Sequence, residues 1–254
     1  MKGLEYYYWV GFIAADGNFR HLKTRTTIKV ALAKKDESHL ELMKNYFGEE
    51  NCWGVNYYRT YSQLIYHKKN EITNIQIEFD LKERKTYNPP DVKIFDAMTD
   101  EQFLSFLSGY ADGDGSVQFQ SGRKDCVLSF RVHASWITVL LKMNIRLEHI
   151  CGCSIPIPKV MNDGYARWVI SNCKVLRQLK LWILKGKHPY LHRKWDKINE
   201  NKMSKYEWQS FYTPRVIELR NKGYTFEKIG AKLGIKTTTA FNYFNRKNGS
   251  HSKI

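Results

Sequence analysis

The sequence predicts an α+β protein that consists of two similar halves followed by a small all-α domain. Three observations support this. A nine-residue segment occurs twice, as WVGFIAADG at 9–17 and LSGYADGDG at 107–115; each copy passes from a helical to a strand-like pattern; and the C-terminal region reads as three short helices. The predicted boundaries are 1–87 and 102–198 for the halves, 88–101 and 199–212 for linkers, and 213–254 for the all-α domain.

The repeated segment ends an apolar, helix-like run in each half. Gly11 and Ala15 are four residues apart in the first copy, as are Gly109 and Gly113 in the second, so each helix carries small residues along one face. Helices with such faces can bring their backbones close together. The repeat therefore predicts two helices that pack side by side.

Alternating polar and apolar residues follow each repeat, which predicts strands. In the second half one strand face would hold Ser116, Gln118 and Gln120, and the other Val117 and Phe119. The next strand in each half has an apolar face that would point into the core, formed by Ile28, Val30 and Leu32 in the first half and by Leu128, Phe130 and Val132 in the second. Lys29 and Arg131 would then point outward.

Further patterns complete each half as helix, two strands, helix, two strands. The predicted helices cover 36–47 and 135–150, and the predicted strands lie near 72–79 and 165–170. Between the halves, the run NPPD at 88–91 breaks regular structure. Thr99, with Gln102 three residues later, has the pattern of a helix cap and predicts the start of the second repeat helix.

The charge of the chain points to a polyanionic partner. The sequence has 41 Lys and Arg against 25 Asp and Glu, a formal charge of +16, and residues 185–254 hold 16 of these basic residues but only 5 acidic ones. Such an excess favours nucleic acid as the partner. No stretch approaches a membrane-spanning length, and the N-terminus lacks a secretory pattern. The five cysteines are unevenly spaced and support neither a disulfide framework nor a zinc site.

Each repeat ends in an Asp-Gly pair, and the two acids predict a metal site. If the helices pack side by side, Asp16 and Asp114 meet at their C-terminal ends, where the helix dipole and the second carboxylate both disfavour negative charge. Divalent cations such as Mg²⁺ would relieve this repulsion, with the backbone carbonyls of Ala15 and Gly113 as further oxygen ligands. Metals held there can activate water in phosphodiester cleavage. A lone Asp-Gly is usually a turn, but two copies at domain spacing favour a site.

These residues make the chain resemble the monomeric, two-motif LAGLIDADG homing endonucleases over residues 5–197. Gly11, Asp16 and Gly17, and their counterparts in 107–115, stand at the defining motif positions. The resemblance implies two pseudo-symmetric αββαββα halves that form a saddle over duplex DNA. It also implies that Asp16 and Asp114 bind Mg²⁺, as two or more ions, and that the chain cuts both strands with 3′ overhangs inside a long, asymmetric target.

The sequence departs from the family pattern at a few positions. Ala14 replaces the first motif acid, and Tyr110 stands where the pattern has an aliphatic residue. Asp112 keeps the first acid position in the second copy, and we interpret it as structural. Lys85 and Lys194 are similar to family lysines that follow the last strand of a half and act near the scissile phosphates, although a solvated surface charge is the alternative for both.

The outward strand positions predict a DNA-contacting surface. If the alternation is correct, one face of the sheets carries donors for base edges and phosphates in the major groove. These donors are Arg20, Lys29, Gln118, Gln120, Arg131 and Arg167.

The C-terminal region resembles a helix-turn-helix over 213–248. Helices are predicted at 214–221, 226–233 and 237–246, with Thr225 as a cap and Gly234 in the turn. The apolar positions that would hold them together are Ile229, Leu233, Ile235 and Ala240. The third helix would enter the major groove with Thr238, Thr239, Asn242 and Arg246 as candidate readers and Lys236 on a phosphate. A three-helix bundle without a DNA role is the alternative.

Two other functions remain open on the sequence. Some transcription regulators join a LAGLIDADG-like fold to a helix-turn-helix, but those have lost the acids that this sequence keeps. RNA maturases also use the fold, and a 2′-hydroxyl reader leaves no recognisable signature. We expect a monomer that acts on double-stranded DNA in the cytoplasm of a bacterial or phage-infected cell, with an organelle as another possibility, and an intron-encoded origin.

Overall fold

The computed structural model describes residues 2–22, 25–119, 126–186, 188–199 and 205–248. It divides into two compact units, Met1–Glu200 and Asn201–Ile254. Within the described ranges, none of the helices is long and apolar enough to cross a membrane.

Over its described residues, the first half of the larger unit contains three α-helices and one four-stranded sheet. In chain order these are α1 (Leu4–Asp16), β1 (Asn18–Leu22), β2 (Arg25–Ala33), α2 (Glu37–Phe47), β3 (Cys52–Tyr57), β4 (Tyr61–Tyr66) and α3 (Lys69–Phe79). The strands are antiparallel and run in the order β1-β2-β4-β3.

The second half repeats this architecture. Its elements are α4 (Asp100–Gly113), β5 (Gly115–Phe119), β6 (Cys126–His133), α5 (Ile137–Cys151), β7 (Lys159–Val160), β8 (Tyr165–Ile170), α6 (Cys173–Gly186) and the short α7 (His192–Trp195). The antiparallel order β5-β6-β8-β7 matches the first sheet position by position. The α+β class and the two similar αββαββα halves are therefore confirmed.

The close helix pair predicted from the repeat is present as α1 and α4. A Cβ atom added at Gly11 would overlap the carbonyl oxygen of Phe106, and one at Gly109 would overlap the carbonyl oxygen of Tyr8. Only glycine permits backbones to approach this closely at both points. The two helices are buried along most of their length, and the inward faces of both sheets pack around them.

Local sequence rules explain several boundaries. The Thr99 hydroxyl accepts a hydrogen bond from the backbone N–H of Gln102 at 3.2 Å, and the Gln102 side chain accepts one from the Thr99 N–H at 2.9 Å. This is the predicted capping box, and it starts α4 in the expected place. On β2 and β6 the predicted apolar residues are buried, Arg131 is exposed and Lys29 is half-buried, so the strand alternation is also confirmed.

One predicted strand is wrong. Residues 72–79 belong to helix α3, whose buried side chains Ile72, Ile75 and Phe79 are three or four residues apart and lie on one helical face. The missing strands are β3 and β4, where no strand was predicted. Val117 is buried, but Phe119, placed on the same strand face, lies at the end of β5 and is 59% exposed.

The smaller unit contains three helices: α8 (Lys205–Asn221), α9 (Phe226–Leu233) and α10 (Thr237–Asn248). Thr225 caps α9 by accepting a hydrogen bond from the Lys228 N–H at 3.3 Å, and Gly234 ends it with a φ of 67°. The shared core includes Ile229 and Ala240, with Leu233 and Ile235 packed against it. Helix α8 begins before the predicted residue 214, inside the segment expected to be a linker.

Candidate functional site

The two motif acids lie together at the C-terminal ends of the paired helices. Asp16 is the last residue of α1, and Asp114 directly follows α4. Gly113 is so close to the other helix that a Cβ atom there would lie 3.4 Å from the Asp16 carboxyl. The close packing of the helices therefore brings both carboxyls to one place, as the repeat predicts.

The surroundings of these acids disfavour their ionised forms. Burial and, to a smaller extent, the charge of Asp114 raise the pKa of Asp16 to about 6, although the charges of Lys194 and Lys85 act in the opposite direction. Asp114 is exposed, but the surrounding protein atoms partly desolvate its carboxyl and raise its pKa as well, against the opposing charges of Lys85 and Lys194. A pair of destabilised carboxylates is a common feature of functional sites.

Two lysines approach the same helix ends. The Lys85 ammonium donates to the carbonyl oxygen of Ala15, and the buried Lys194 ammonium donates to the carbonyls of Ala111 at 3.0 Å and Gly113 at 3.1 Å, and also to that of Asp112. Burial lowers the pKa of both lysines, while nearby carboxylates raise it. Neither Lys85 nor Lys194 is a solvated surface charge, since Lys85 is half-buried and Lys194 is buried. Both lysines come after the last strand of their half, β4 or β8, but a helix stands between: Lys85 follows α3, and Lys194 lies in α7 after α6.

The donor set fits a hard divalent cation. Over the part of the chain that the structure describes, no group of three or more His, Cys, Asp and Glu side chains is placed to hold a metal. Two carboxylates alone match Mg²⁺, which keeps several waters and completes its shell with phosphate oxygens. The carbonyls of Ala15 and Gly113 already accept from the lysines, so each would have to serve the cation with its second lone pair. Their role as ligands stays a prediction.

The predicted DNA-contacting residues divide by exposure. Arg20, Gln118, Arg131 and Arg167 are exposed, and Lys29 is half-buried. Gln120 lies outside the described residues. In the second sheet Arg131 is paired directly with Arg167, which is paired in turn with Lys159 on β7. Arg131 also forms an ion pair with Asp163 at 2.9 Å. Like charges opposite one another destabilise a sheet, so the facing Arg167 and Lys159 suit a surface that meets a polyanion.

Sequence reasoning missed a second polar and aromatic surface, on β2 to β4. The Arg25 guanidinium lies 4.9 Å from the centre of the exposed Trp53 ring, and the Lys34 ammonium lies 4.7 Å from that of Tyr57. Stacked cations and aromatic rings are typical of nucleic-acid surfaces. The signal was present in the β-prone residues of 52–66, which the misplaced strand at 72–79 obscured. Lys159 was missed because β7 has only two residues.

In the smaller unit the predicted reading residues lie on or beside α10. Lys236, Thr238 and Asn242 are exposed, and Thr239 is half-buried. The side chain of Arg246 lies outside the described residues. The unit thus has two short helices joined by a glycine turn, with polar side chains on the second of them.

Comparison with known proteins identifies solved structures with a similar fold. No protein-family model matches the sequence, and no curated protein matches it. Among solved structures, the meganuclease I-SmaMI bound to uncleavable DNA is 15% identical, with a TM-score of 0.51 over 81% of this chain and 95% of that chain. A lysine-to-alanine mutant of I-SmaMI is 13% identical, with a TM-score of 0.50 over 98% of this chain and 99% of that chain. With its paired repeat helices and its two matching four-stranded sheets, the chain has the fold of the LAGLIDADG homing endonucleases.

Proposed function

We propose that this chain is a site-specific endonuclease that cuts both strands of duplex DNA. The observation that carries the proposal is the pair Asp16 and Asp114, held side by side at the ends of two closely packed helices. A similar fold belongs to I-SmaMI, a meganuclease whose solved structure contains bound DNA. The net charge of +16 supports a polyanionic substrate.

The residues of the site divide the chemistry between them. Asp16 and Asp114 would hold Mg²⁺, which when bound supplies activated water and stabilises the leaving oxygen of the phosphodiester. Lys85 and Lys194 place positive charge beside both acids, where it can stabilise the charge that develops on the phosphate. Lys194 is buried and Asp16 and Lys85 are half-buried, so less water screens these interactions than at an open surface. We propose a staggered break with 3′ overhangs.

The substrate-binding surface follows from the same arrangement. The outward cations of the two sheets, including Arg131, Arg167 and Lys159, would contact phosphates and base edges along a long target. The smaller unit would add a helix-turn-helix contact through α10, with Lys236 on a phosphate and Thr238 and Asn242 on bases. One chain holds both motif helices, so a monomer suffices for cutting both strands.

The first test is selection of cleaved sites from a random duplex library in Mg²⁺, followed by sequencing of the ends. We expect discrete breaks with 3′ overhangs for the unchanged protein. Asp16→Asn and Asp114→Asn should each abolish double-strand breaks while leaving binding within about threefold, because neutral amides keep the shape but hold the metal poorly.

The matched control is Asp96→Asn, which removes an exposed carboxylate that pairs with Lys142 on the outside of α5. It should cut as the unchanged protein does. Double-strand cutting by both active-site variants would contradict the assignment of the acids. Binding of DNA without breaks in every protein would instead favour a transcription regulator, and preferential binding of structured RNA would favour a maturase.

A further inference from the structure

Asp112 is a buried carboxylate that the proposed chemistry does not use. It lies in the last turn of α4 and is 1% exposed. Three donors point at it: the Tyr8 hydroxyl at 2.7 Å, the Leu191 backbone N–H at 2.9 Å and the Trp195 indole N–H at 2.7 Å. A carboxylate buried this deeply is tolerated only when it is fully hydrogen-bonded, and these three bonds meet that need.

Two of the donors to Asp112, Leu191 and Trp195, stand on either side of Lys194 in the sequence. Leu191 caps the short helix α7 and Trp195 ends it, so Asp112 holds both ends of the segment that carries Lys194. The Lys194 ammonium then reaches back to the carbonyls at the end of α4, among them that of Asp112 itself. The position of the ammonium beside the acids therefore depends on where α7 is anchored.

The anchor also crosses the boundary between the halves. Tyr8 belongs to α1, is fully buried, and its hydroxyl lies 2.7 Å from Nε2 of His39 on α2. Because that hydroxyl donates to Asp112, the ring of His39 is left to donate to the tyrosine oxygen. Two elements of the first half thus orient a carboxylate of the second.

The first half has no carboxylate at the equivalent repeat position. Ala14 stands at the repeat position that corresponds to Asp112. The chain at Lys85 is held differently, through a hydrogen bond from the Trp136 indole N–H to its carbonyl oxygen at 2.9 Å, and the Lys85 ammonium donates to the carbonyl of Ala15. The two lysines therefore lie at corresponding helix ends, but different hydrogen bonds hold the segments that carry them.

We propose that Asp112, oriented by Tyr8, is the positioning residue for Lys194, and that cutting of one DNA strand depends on this anchor while cutting of the other does not. The inference rests on the proposed endonuclease function and extends it to a division of labour between the two halves. Asp112 touches no reacting atom; it acts by fixing where the lysine ammonium lies.

The experiment measures the cutting rate of each strand separately, on a selected target with a different label on each strand and with enzyme in excess. Asp112→Asn places amide hydrogens opposite the donors that now bind the carboxylate. It should slow the cutting of one strand by about tenfold or more. The cutting rate of the other strand and the DNA affinity should stay within about threefold of the unchanged protein. Nicked duplex should accumulate. Lys194→Met should slow the same strand, and the double variant should be no slower than Lys194→Met alone, because the two changes act through one group.

Matched variants separate positioning from general damage. Tyr8→Phe removes only the hydroxyl that reaches Asp112 and should slow the same strand less than Asp112→Asn does. Tyr6→Phe, on the same helix, removes a hydroxyl that donates to Glu78 at 3.0 Å and should leave both rates unchanged. If Asp112→Asn fails to fold, as judged by thermal unfolding, Tyr8→Phe carries the test.

The outcomes are distinct. Equal slowing of both strands, or a double variant that is further slowed by the product of the two single effects, would overturn the positioning role. Equal, unchanged rates in Asp112→Asn and Tyr8→Phe would overturn it as well. If the unchanged protein cuts no DNA, the proposed function fails first, and that result is visible before any variant is made.

Discussion

At the scale of one residue, the ionised carboxylate of Asp16 destabilises the folded protein. Burial and the neighbouring Asp114 raise its pKa to about 6 from an ordinary value of 3.8. A carboxyl with a raised folded pKa binds its proton more tightly in the folded state, so the free energy of unfolding falls as the pH rises from about 4 to about 6. The cost is present at neutral pH and absent in acid.

This cost predicts that Asp16→Asn stabilises the metal-free protein. With EDTA present at pH 7.5, the variant should unfold at higher denaturant than the unchanged protein, by at most about 3 kcal/mol, since one pKa unit is about 1.4 kcal/mol. The gain should vanish near pH 4. Mg²⁺ should stabilise the unchanged protein more than the variant. A variant that is equally destabilised at both pH values would contradict the electrostatic account.

Single residues also show how far the sequence could predict the site. Asp16 and Asp114 were identifiable because the repeat duplicates them, and Lys85 and Lys194 were identified by family resemblance. The bonds of Asp112 to Tyr8, Leu191 and the indole of Trp195 could not be predicted, because they join positions that only the folded chain brings together. Asp112 was interpreted as structural, and its burial agrees with that interpretation, but its connection to Lys194 had no sequence signal.

At the scale of elements, the packing of α1 on α4 depends on two glycines. Gly109→Ala would push a methyl group into the carbonyl oxygen of Tyr8 and should lower the free energy of unfolding by about 1–3 kcal/mol, the usual cost of overpacking. Denaturant unfolding measures this. Cutting should slow as well, because the shifted helices would move Asp16 relative to Asp114.

Ser105→Ala is the control on the same helix. The Ser105 hydroxyl is buried without a hydrogen-bond partner among the residues that the structure describes, so its removal should cost little. Equal losses in the two variants would mean that α4 is sensitive to any substitution, and that the close approach at Gly109 is not the cause.

Helices and strands could be predicted where the spacing of apolar residues fitted only one of the two. Helices α2, α5, α9 and α10 and strand β8 lie where the pattern places them. Residues 72–79 were misassigned because Ile72, Ile75, Ile77 and Phe79 satisfy an alternating pattern in part, while only the burial of positions three and four apart reveals a helix. Ile77 is 78% exposed, which a strand assignment of this segment could not have anticipated.

At the scale of the whole molecule, part of the positive charge lies in a row across the second sheet. Arg131, Arg167 and Lys159 lie opposite one another on three neighbouring strands. If these cations meet phosphates, DNA affinity should fall steeply with salt, because bound counterions are released. The organisation of the charge could not be derived from composition, since it depends on the register of β6, β7 and β8.

The salt dependence of DNA binding tests whether this row contacts phosphates. Arg167→Gln combined with Lys159→Gln should reduce the slope of log affinity against log salt by about 0.9 for each phosphate that the protein no longer neutralises. Lys142→Gln, which removes a cation that pairs with Asp96 on α5, should leave the slope unchanged. An unchanged slope in the double variant would place the DNA elsewhere on the molecule.

The bond between Tyr8 and Asp112 makes the two halves complementary and not interchangeable. Phe106 stands at the position of the second half that corresponds to Tyr8, and Ala14 stands at the position of the first half that corresponds to Asp112. A symmetric dimer made from either half alone would contain a hydroxyl without its carboxylate, or a buried carboxylate without its hydroxyl. A symmetric protein engineered from either half must therefore restore the missing member of that pair.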